Sequence, residues 1–255
     1  MQLTGASAVV VGGTGGMGEA TVRRLNAAGV KVVVADVNDE KGKALEAELG
    51  VRYLHADAGS EDDVTAAFAA AAEQGPVRIS VDVHGGPAGG GRLLNRDGQP
   101  HKLEDFRRTL ESYLISPFNV IRLAAAAISK SEPFDSEGSR GVIIQTASIA
   151  GFEGQIGQIA YGAAKGGIIS MTLIAARDLS AAGIRVNTIA PGTINTPAYG
   201  QAADKVEAYF GPQVPHPKRM GRSDEYAQLA LAIAENDYLN GEVIRLDGAL
   251  RFPPK

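Results

Sequence analysis

The chain has 255 residues, 44% hydrophobic and 21% charged, with a formal net charge of −4 at pH 7, enough to bury one large core or two small ones. Absence of Cys rules out a disulfide framework and any zinc–thiolate site, and with no basic block longer than Pro217-Lys218-Arg219 a nucleic-acid surface is not expected. No apolar run approaches the ~18 residues of a membrane span and Met1-Gln2-Leu3-Thr4-Gly5 carries no basic presequence, so the expectation is a cytoplasmic protein with no membrane partner.

Short β-branched runs alternate with longer Ala-rich amphipathic stretches. Strands are predicted at 7–12, 30–36, 51–56, 78–83, 141–147, 185–190 and 242–247. Helices are predicted at 17–28, 39–49, 61–74, 103–130, 156–181, 202–210 and 224–235. Continuous apolar strands separated by helices suit an α/β fold, a single doubly wound Rossmann domain over 1–255 with a seven-stranded parallel sheet flanked by helices. Two stretches break the alternation. The segment 85–101 is rich in Gly and polar residues, and 191–222 is rich in proline; both follow strands, where loops wall the ligand crevice, and the second is expected to be a substrate lid.

After the first strand comes Gly12-Gly13-Thr14-Gly15-Gly16-Met17-Gly18. Gly13, Gly15 and Gly18 fit G-x-G-x-x-G, whereas Gly12, Gly16 and Gly18 fit G-x-x-x-G-x-G; both patterns let backbone amides approach a pyrophosphate at a helix N-terminus. No Lys-Ser or Lys-Thr follows, which rejects a Walker-type ATP loop. Asp36 closes the second strand 18 residues after Gly18, where its carboxylate can accept from both ribose hydroxyls of NAD and repel a 2′-phosphate. Asp57, at the end of the third strand, is read either as an adenine contact together with Ala58 or as a helix N-cap.

Tyr161 and Lys165 are separated by one helical turn, with Ser148 thirteen residues before Tyr161. Residues i and i+4 share a helix face, so the Lys165 cation is expected to favour the Tyr161 phenolate and make it a general base. Ser148 can position a substrate oxygen by hydrogen bonding.

With these motifs, and with the stretches RGVIIQTASIAGFEGQIGQIAYGAAKGGIISMTL, ARDLSAAGIRVNTIAPG and LNGEVIRLDGALR, the chain resembles the short-chain dehydrogenase/reductase family, and within it the type 2 3-hydroxyacyl-CoA dehydrogenase branch. The resemblance runs from Ala6 to about Leu250. It implies Ser148, Tyr161 and Lys165 as catalytic residues, with Lys165 also holding the nicotinamide ribose. It further implies pyrophosphate contacts at Gly15 and Met17, ribose at Asp36, adenine at Asp57 and Ala58, and further cofactor contacts at Gly85, Ile194 and Thr196. The implied reaction is NAD-dependent interconversion of a secondary alcohol and a ketone. Three positions depart from the family pattern: Val11 replaces Thr, His84-Gly85-Gly86-Pro87 replaces Asn-Asn-Ala-Gly, and Tyr113, four residues before Pro117, replaces an Asn that supports the lysine through a water. Either the Tyr113 hydroxyl takes that water's place, or Tyr113 points into the helix packing and the relay is broken or rerouted.

The substrate expected from the resemblance is a 3-hydroxyacyl-CoA, with Arg92, Arg96, Lys102, Lys218 and Arg219 read either as a phosphate-facing set or as a solvated basic rim. A steroid or other apolar alcohol beside Tyr199, Tyr209 and Phe210, or a non-catalytic NAD-binding homologue, are the alternatives. The resemblance also implies a homotetramer, in which Gly166, Gly167 and Ala124 to Ala127 would permit close helix contact between subunits.

Overall fold

The computed structural model describes residues 1–85 and 90–254. Val-rich segments form the central strands because β-branched side chains suit a pleated surface covered on both sides. Strands β1 (Ser7–Val11), β4 (Val77–Asp82) and β5 (Gly141–Thr146) are buried along their whole length. With β2 (Lys31–Asp36), β3 (Arg52–His55), β6 (Ile184–Pro191) and β9 (Val243–Leu246) they make a seven-stranded sheet in the order β3-β2-β1-β4-β5-β6-β9. Every neighbouring pair is parallel, as the alternation of elements predicts. The order in which successive strands are added reverses between β1 and β4, which opens a crevice at their carboxyl ends.

Helices α1 (Gly16–Ala27) and α8 (Ser223–Glu235) cover one face, where Val22, Leu25, Tyr226 and Ile233 pack on Val10, Ile79 and Ile144. On the other face α3 (Glu61–Ala72), α5 (Ser116–Ile128) and α6 (Ile159–Asp178) bury Phe68, Val120 and Ala176 against Val9, Ile143 and Val186. Helix α2 (Asp39–Leu49) packs beside β2 and β3, opened by Asn38, whose side chain accepts from the Lys41 amide.

Several sequence expectations need correction. The predicted helix 103–130 is α4 (Leu103–Leu110), a π-helical turn at Glu111–Ile115, and α5. Pro117 causes the break: it has no amide to give to the Tyr113 carbonyl four residues back, and its ring crowds that carbonyl. The Ser116 hydroxyl donates instead to the Glu111 carbonyl at 3.0 Å. The segment 191–222 contains a two-stranded parallel pair, β7 (Ile194–Asn195) with β8 (Gly221–Arg222), and helix α7 (Ala203–Phe210). These strands are too short to give a periodic signal. Helix α6, at 20 residues and mean hydropathy 1.4, is long and apolar enough by length and composition to cross a membrane, contrary to the sequence expectation, although here it packs on β5 and β6. Gly167 and Ala124 are used within the chain: a Cβ on Gly167 would lie 2.6 Å from Leu114 Cδ1, and Ala124 is part of the core.

Candidate active site

The glycine turn is shaped by close approach. A Cβ on Gly12, which has φ +76°, would lie 2.5 Å from His84 Cα; one on Gly18 would lie 2.0 Å from the Gly12 carbonyl oxygen. At Gly16 it would meet Pro197 Cδ at 2.7 Å, whereas at Gly15 the nearest atom is 3.6 Å away. Gly13 is crowded as well, by Val34 Cγ1 at 2.9 Å, but the open space at Gly15 breaks the G-x-G-x-x-G pattern, whereas Gly12, Gly16 and Gly18 are all crowded as the G-x-x-x-G-x-G spacing requires. Gly15 stands at the N-cap of α1, where no side chain caps the first turn, which leaves amides directed toward a ligand. Met17 is half-buried at the edge of the neighbouring chamber.

Asp36 ends β2 with both carboxylate oxygens anchored: Oδ2 accepts from the Thr14 amide and Oδ1 from the Asn38 amide, each at 3.0 Å. With Gly12, Asp57, Ala58 and Gly85 it lines an outer cavity of about 270 Å³. Asp57 Oδ1 accepts from Gly59 N at 2.8 Å. It is not the N-cap of α3; Ser60 has that position and accepts from Asp63 N. The Ala58 carbonyl is fixed by the Asn119 side chain at 3.0 Å. Close backbone packing, uncapped amides and a preset carboxylate fit a nucleotide cofactor, with pyrophosphate at the helix end and ribose at Asp36.

Beyond Val83, His84 and Gly85, which line both spaces, lies an inner chamber of about 230 Å³. Ser148, Tyr161, Lys165, Tyr113, Ile194 and Thr196 all line it. Ser148, in extended backbone just after β5, accepts from Ala150 N at 3.1 Å and hydrogen bonds with Tyr161. Tyr113, on the π turn, meets the Tyr161 ring edge to face, with centroids 5.1 Å apart.

One expectation fails here. Burial pushes the Tyr161 phenol up to about 12, with the Ser148 hydrogen bond pulling the other way. Lys165 is not what lowers it, because its ammonium donates to the Thr146 carbonyl oxygen at 2.7 Å and sits 5.9 Å from the Tyr161 ring centroid. Burial pushes Lys165 down to about 8, against the pull of Asp82. The ammonium also lies over the Tyr113 ring, 5.0 Å from its centroid.

Sequence reasoning missed a buried polar layer behind this chamber. Asp82, 3% exposed, pairs through Oδ1 with His84 Nδ1, and His84 Nε2 reaches the Ser112 carbonyl oxygen at 3.1 Å. The Thr146 hydroxyl donates to the Asp82 carbonyl oxygen and also contacts the fully buried Tyr226 hydroxyl at 2.6 Å. The only sequence signal was the alternation Arg78, Ser80, Asp82 inside an otherwise apolar strand. In the sequence His84 stands out only as a departure from a family pattern, of which Gly86 and Pro87 lie outside the described residues.

The proposed basic set is divided. Arg219 is held by Glu225 through two bonds of 2.6 and 2.9 Å, and Lys218 donates to the Pro212 carbonyl oxygen. Arg92, Arg96 and Lys102 are exposed on the 90–102 segment, where Gly91 N bonds to the Gly157 carbonyl oxygen and Leu94 bridges to Pro100.

The family model described as enoyl-(acyl carrier protein) reductase matches residues 12–250. The chain belongs to the short-chain dehydrogenase/reductase family. It is 47% identical over 253 residues to the 3-hydroxyacyl-CoA dehydrogenase type-2 of Bos taurus, covering 98% of this chain and 97% of that protein. Against the Homo sapiens protein of the same name the identity is 48% with the same coverage. The crystal structure of 3-hydroxyacyl-CoA dehydrogenase type-2 from Mycobacterium avium superposes with a TM-score of 0.96 at 52% identity, over 98% of each chain. As a short-chain dehydrogenase/reductase the protein is an oxidoreductase of a nucleotide-dependent family.

Proposed function

We propose that this oxidoreductase interconverts a 3-hydroxyacyl-CoA and the 3-oxoacyl-CoA with NAD as electron carrier. The observation that carries the reading is the convergence of Ser148, Tyr161 and Lys165 on one chamber that shares Val83, His84 and Gly85 with the crevice at Asp36. Support for the acyl-CoA class comes from the relatives named 3-hydroxyacyl-CoA dehydrogenase type-2.

Gly12, Gly15, Gly16, Met17 and Gly18 would hold the pyrophosphate, Asp36 the adenosine ribose, and Asp57 and Ala58 the adenine. Gly85, Ile194 and Thr196 would hold the nicotinamide end, with Lys165 on its ribose. When bound, NAD supplies the acceptor for the carbon-bound hydrogen and its electron pair. Ser148 donates a hydrogen bond to the substrate oxygen, and the deprotonated Tyr161 oxygen takes the hydroxyl proton as the carbonyl forms. The Tyr161 shift to about 12 favours the protonated phenol in the free enzyme, so ligand binding must lower it for alcohol oxidation. The buried Lys165 cation supplies positive potential in the same chamber. Arg92, Arg96 and Lys102 would face the CoA phosphates, and the 191–222 segment would close over the acyl chain.

A homotetramer goes with this reading: Ile115, Phe118, Ile159, Leu173 and Ile174 leave an apolar face exposed on the π turn, α5 and α6, as an interface between copies requires. Light scattering measures it. The activity is tested by NADH formation at 340 nm with 3-hydroxyacyl-CoAs, steroid alcohols and simple secondary alcohols. Preference for the CoA esters supports the reading; preference for steroids gives the site to an apolar alcohol, and no turnover with any of them overturns the catalytic assignment.

A further inference from the structure

Tyr53, on β3, lines neither cavity, yet its hydroxyl reaches the residue that faces the ribose position. The Tyr53 oxygen lies 2.8 Å from the Asp36 carbonyl oxygen and 2.8 Å from Asp39 Oδ1. Burial, and after it the Asp39 carboxylate, hold the phenol above its ordinary range, so it stays protonated and shares its one hydrogen between the two acceptors. The Asp36 carbonyl oxygen also accepts from the Ala56 amide at 3.0 Å, and Asp39 Oδ1 meets His55 Nδ1 at 2.8 Å. The ring is seated independently of its hydroxyl. A Cβ on Gly42 of α2 would lie 2.1 Å from Tyr53 Cδ2, and the Tyr53 amide donates to Glu46 Oε1 of the same helix at 3.0 Å. Gly42 thus admits the ring under α2, and the ring delivers its oxygen to the turn between β2 and α2.

All three oxygens of Asp36 are therefore held, the carboxylate by the Thr14 and Asn38 amides and the carbonyl by the Ala56 amide and the Tyr53 hydroxyl. A carboxylate excludes a like charge fully only if it cannot swing aside, because Coulomb repulsion falls as the two groups separate. On a loose turn an aspartate can retreat by a few ångströms and admit the wrong ligand; on a turn fixed by a supporting layer it cannot. We propose that Tyr53 is a positioning residue for nucleotide choice: its hydroxyl, shared with Asp39, fixes the β2–α2 turn so that the Asp36 carboxylate cannot withdraw from a phosphate on the 2′ oxygen of an adenosine ribose. The selection rests on the dinucleotide reading of the crevice; the anchoring does not. Asp36 supplies the charge and Tyr53 its place. Asp39 serves by the oxygen it offers to Tyr53 and His55 rather than by its charge.

The anchoring is tested on the free protein by amide hydrogen exchange in Tyr53→Phe, which keeps the ring in its seat beneath Gly42 and removes only the hydroxyl. The Thr14 and Asn38 amides, whose acceptor is the Asp36 carboxylate, should exchange about tenfold faster than in wild type, with the amides of β1 unchanged. Equal exchange at Thr14 and Asn38 in the two proteins overturns the proposal, whatever they bind. Nucleotide choice is tested without turnover, by fluorescence titration with NADH and NADPH. In Tyr53→Phe the ratio of the NADPH to the NADH dissociation constant should fall about fivefold or more. An unchanged ratio, including one in which both nucleotides weaken in equal proportion, refutes the positioning role. Asp39→Asn keeps an oxygen for Tyr53 and His55 but loses the charge, and should retain most of the wild-type ratio. A collapse there as deep as in Tyr53→Phe assigns the exclusion to a second negative charge and overturns the part given to Tyr53. Wild type that binds neither nucleotide refutes the dinucleotide reading and the selection with it, while the exchange result still decides the anchoring.

Discussion

The Lys165 ammonium faces the Tyr113 ring at 5.0 Å while its hydrogen bond goes to the Thr146 carbonyl oxygen. An aromatic face stabilises a desolvated cation by up to about 2 kcal/mol, so Tyr113 acts on the lysine through its ring. Tyr113→Leu should lower the Lys165 pKa below its value of about 8. The charged form is the one present below the pKa, so turnover should fall more at pH 8 than at pH 6.5. Tyr113→Phe keeps the ring and should shift the profile less. Steady-state profiles of the three proteins check this.

Tyr161→Phe removes only the oxygen that exchanges the proton. Turnover should drop by ~10²–10⁴, the usual contribution of general acid–base catalysis, with dinucleotide affinity nearly unchanged by fluorescence titration. Because burial favours the protonated phenol, kcat/KM for alcohol oxidation in the wild type should rise from pH 6 to pH 8, whereas that for ketone reduction, which uses the phenol already protonated throughout this range, should stay nearly flat.

Asp36 serves two ends: its carboxylate anchors the Thr14 and Asn38 amides and presents negative charge at the ribose position. A 2′-phosphate about 4 Å away would be repelled by about 1 kcal/mol in water and about 4 kcal/mol at an effective dielectric of 20. Asp36→Ala should weaken NAD and narrow the NAD-to-NADP ratio of kcat/KM by roughly tenfold or more. Wild-type turnover of NADP equal to that of NAD contradicts the assignment.

The glycine turn separates by position. Gly18→Ala places a methyl 2.0 Å from the Gly12 carbonyl oxygen, whereas Gly15→Ala meets nothing closer than 3.6 Å. Overpacking costs about 1–3 kcal/mol, so Gly18→Ala should lower Tm by several degrees, and Gly15→Ala should leave it nearly unchanged.

Features written locally in the chain were legible. Buried Val runs specified the strands, and Tyr161 with Lys165 needed only the helical repeat to share a face. Asp36 at a strand end needed only the strand. What escaped depends on which side chains meet once the chain is folded, which no periodic pattern records. Arg219 reads as an available cation until Glu225 is folded against it, and Asp82 reads as a strand-end residue until His84 and the Thr146 hydroxyl close around it. Helical periodicity carried across 103–130 because Ser116 and Pro117 change one carbonyl's partner without interrupting the amphipathic pattern. The direction of Lys165 was misjudged for a related reason: sharing a face with Tyr161 does not decide which acceptor the ammonium chooses.

The π turn at Glu111–Ile115 also has a rotational consequence. An added residue advances a helix by about 100° around its axis, so the chain before the turn and the chain after it address different neighbours: α4 packs on α6, and α5 packs on α3. A regular α-helix across 103–128 would point one of these two seams in the wrong direction. Deleting a single residue within 111–115 would therefore do more than shorten the segment. It would put the two halves out of angular phase with their partners, and one seam would have to part for the other to stay closed.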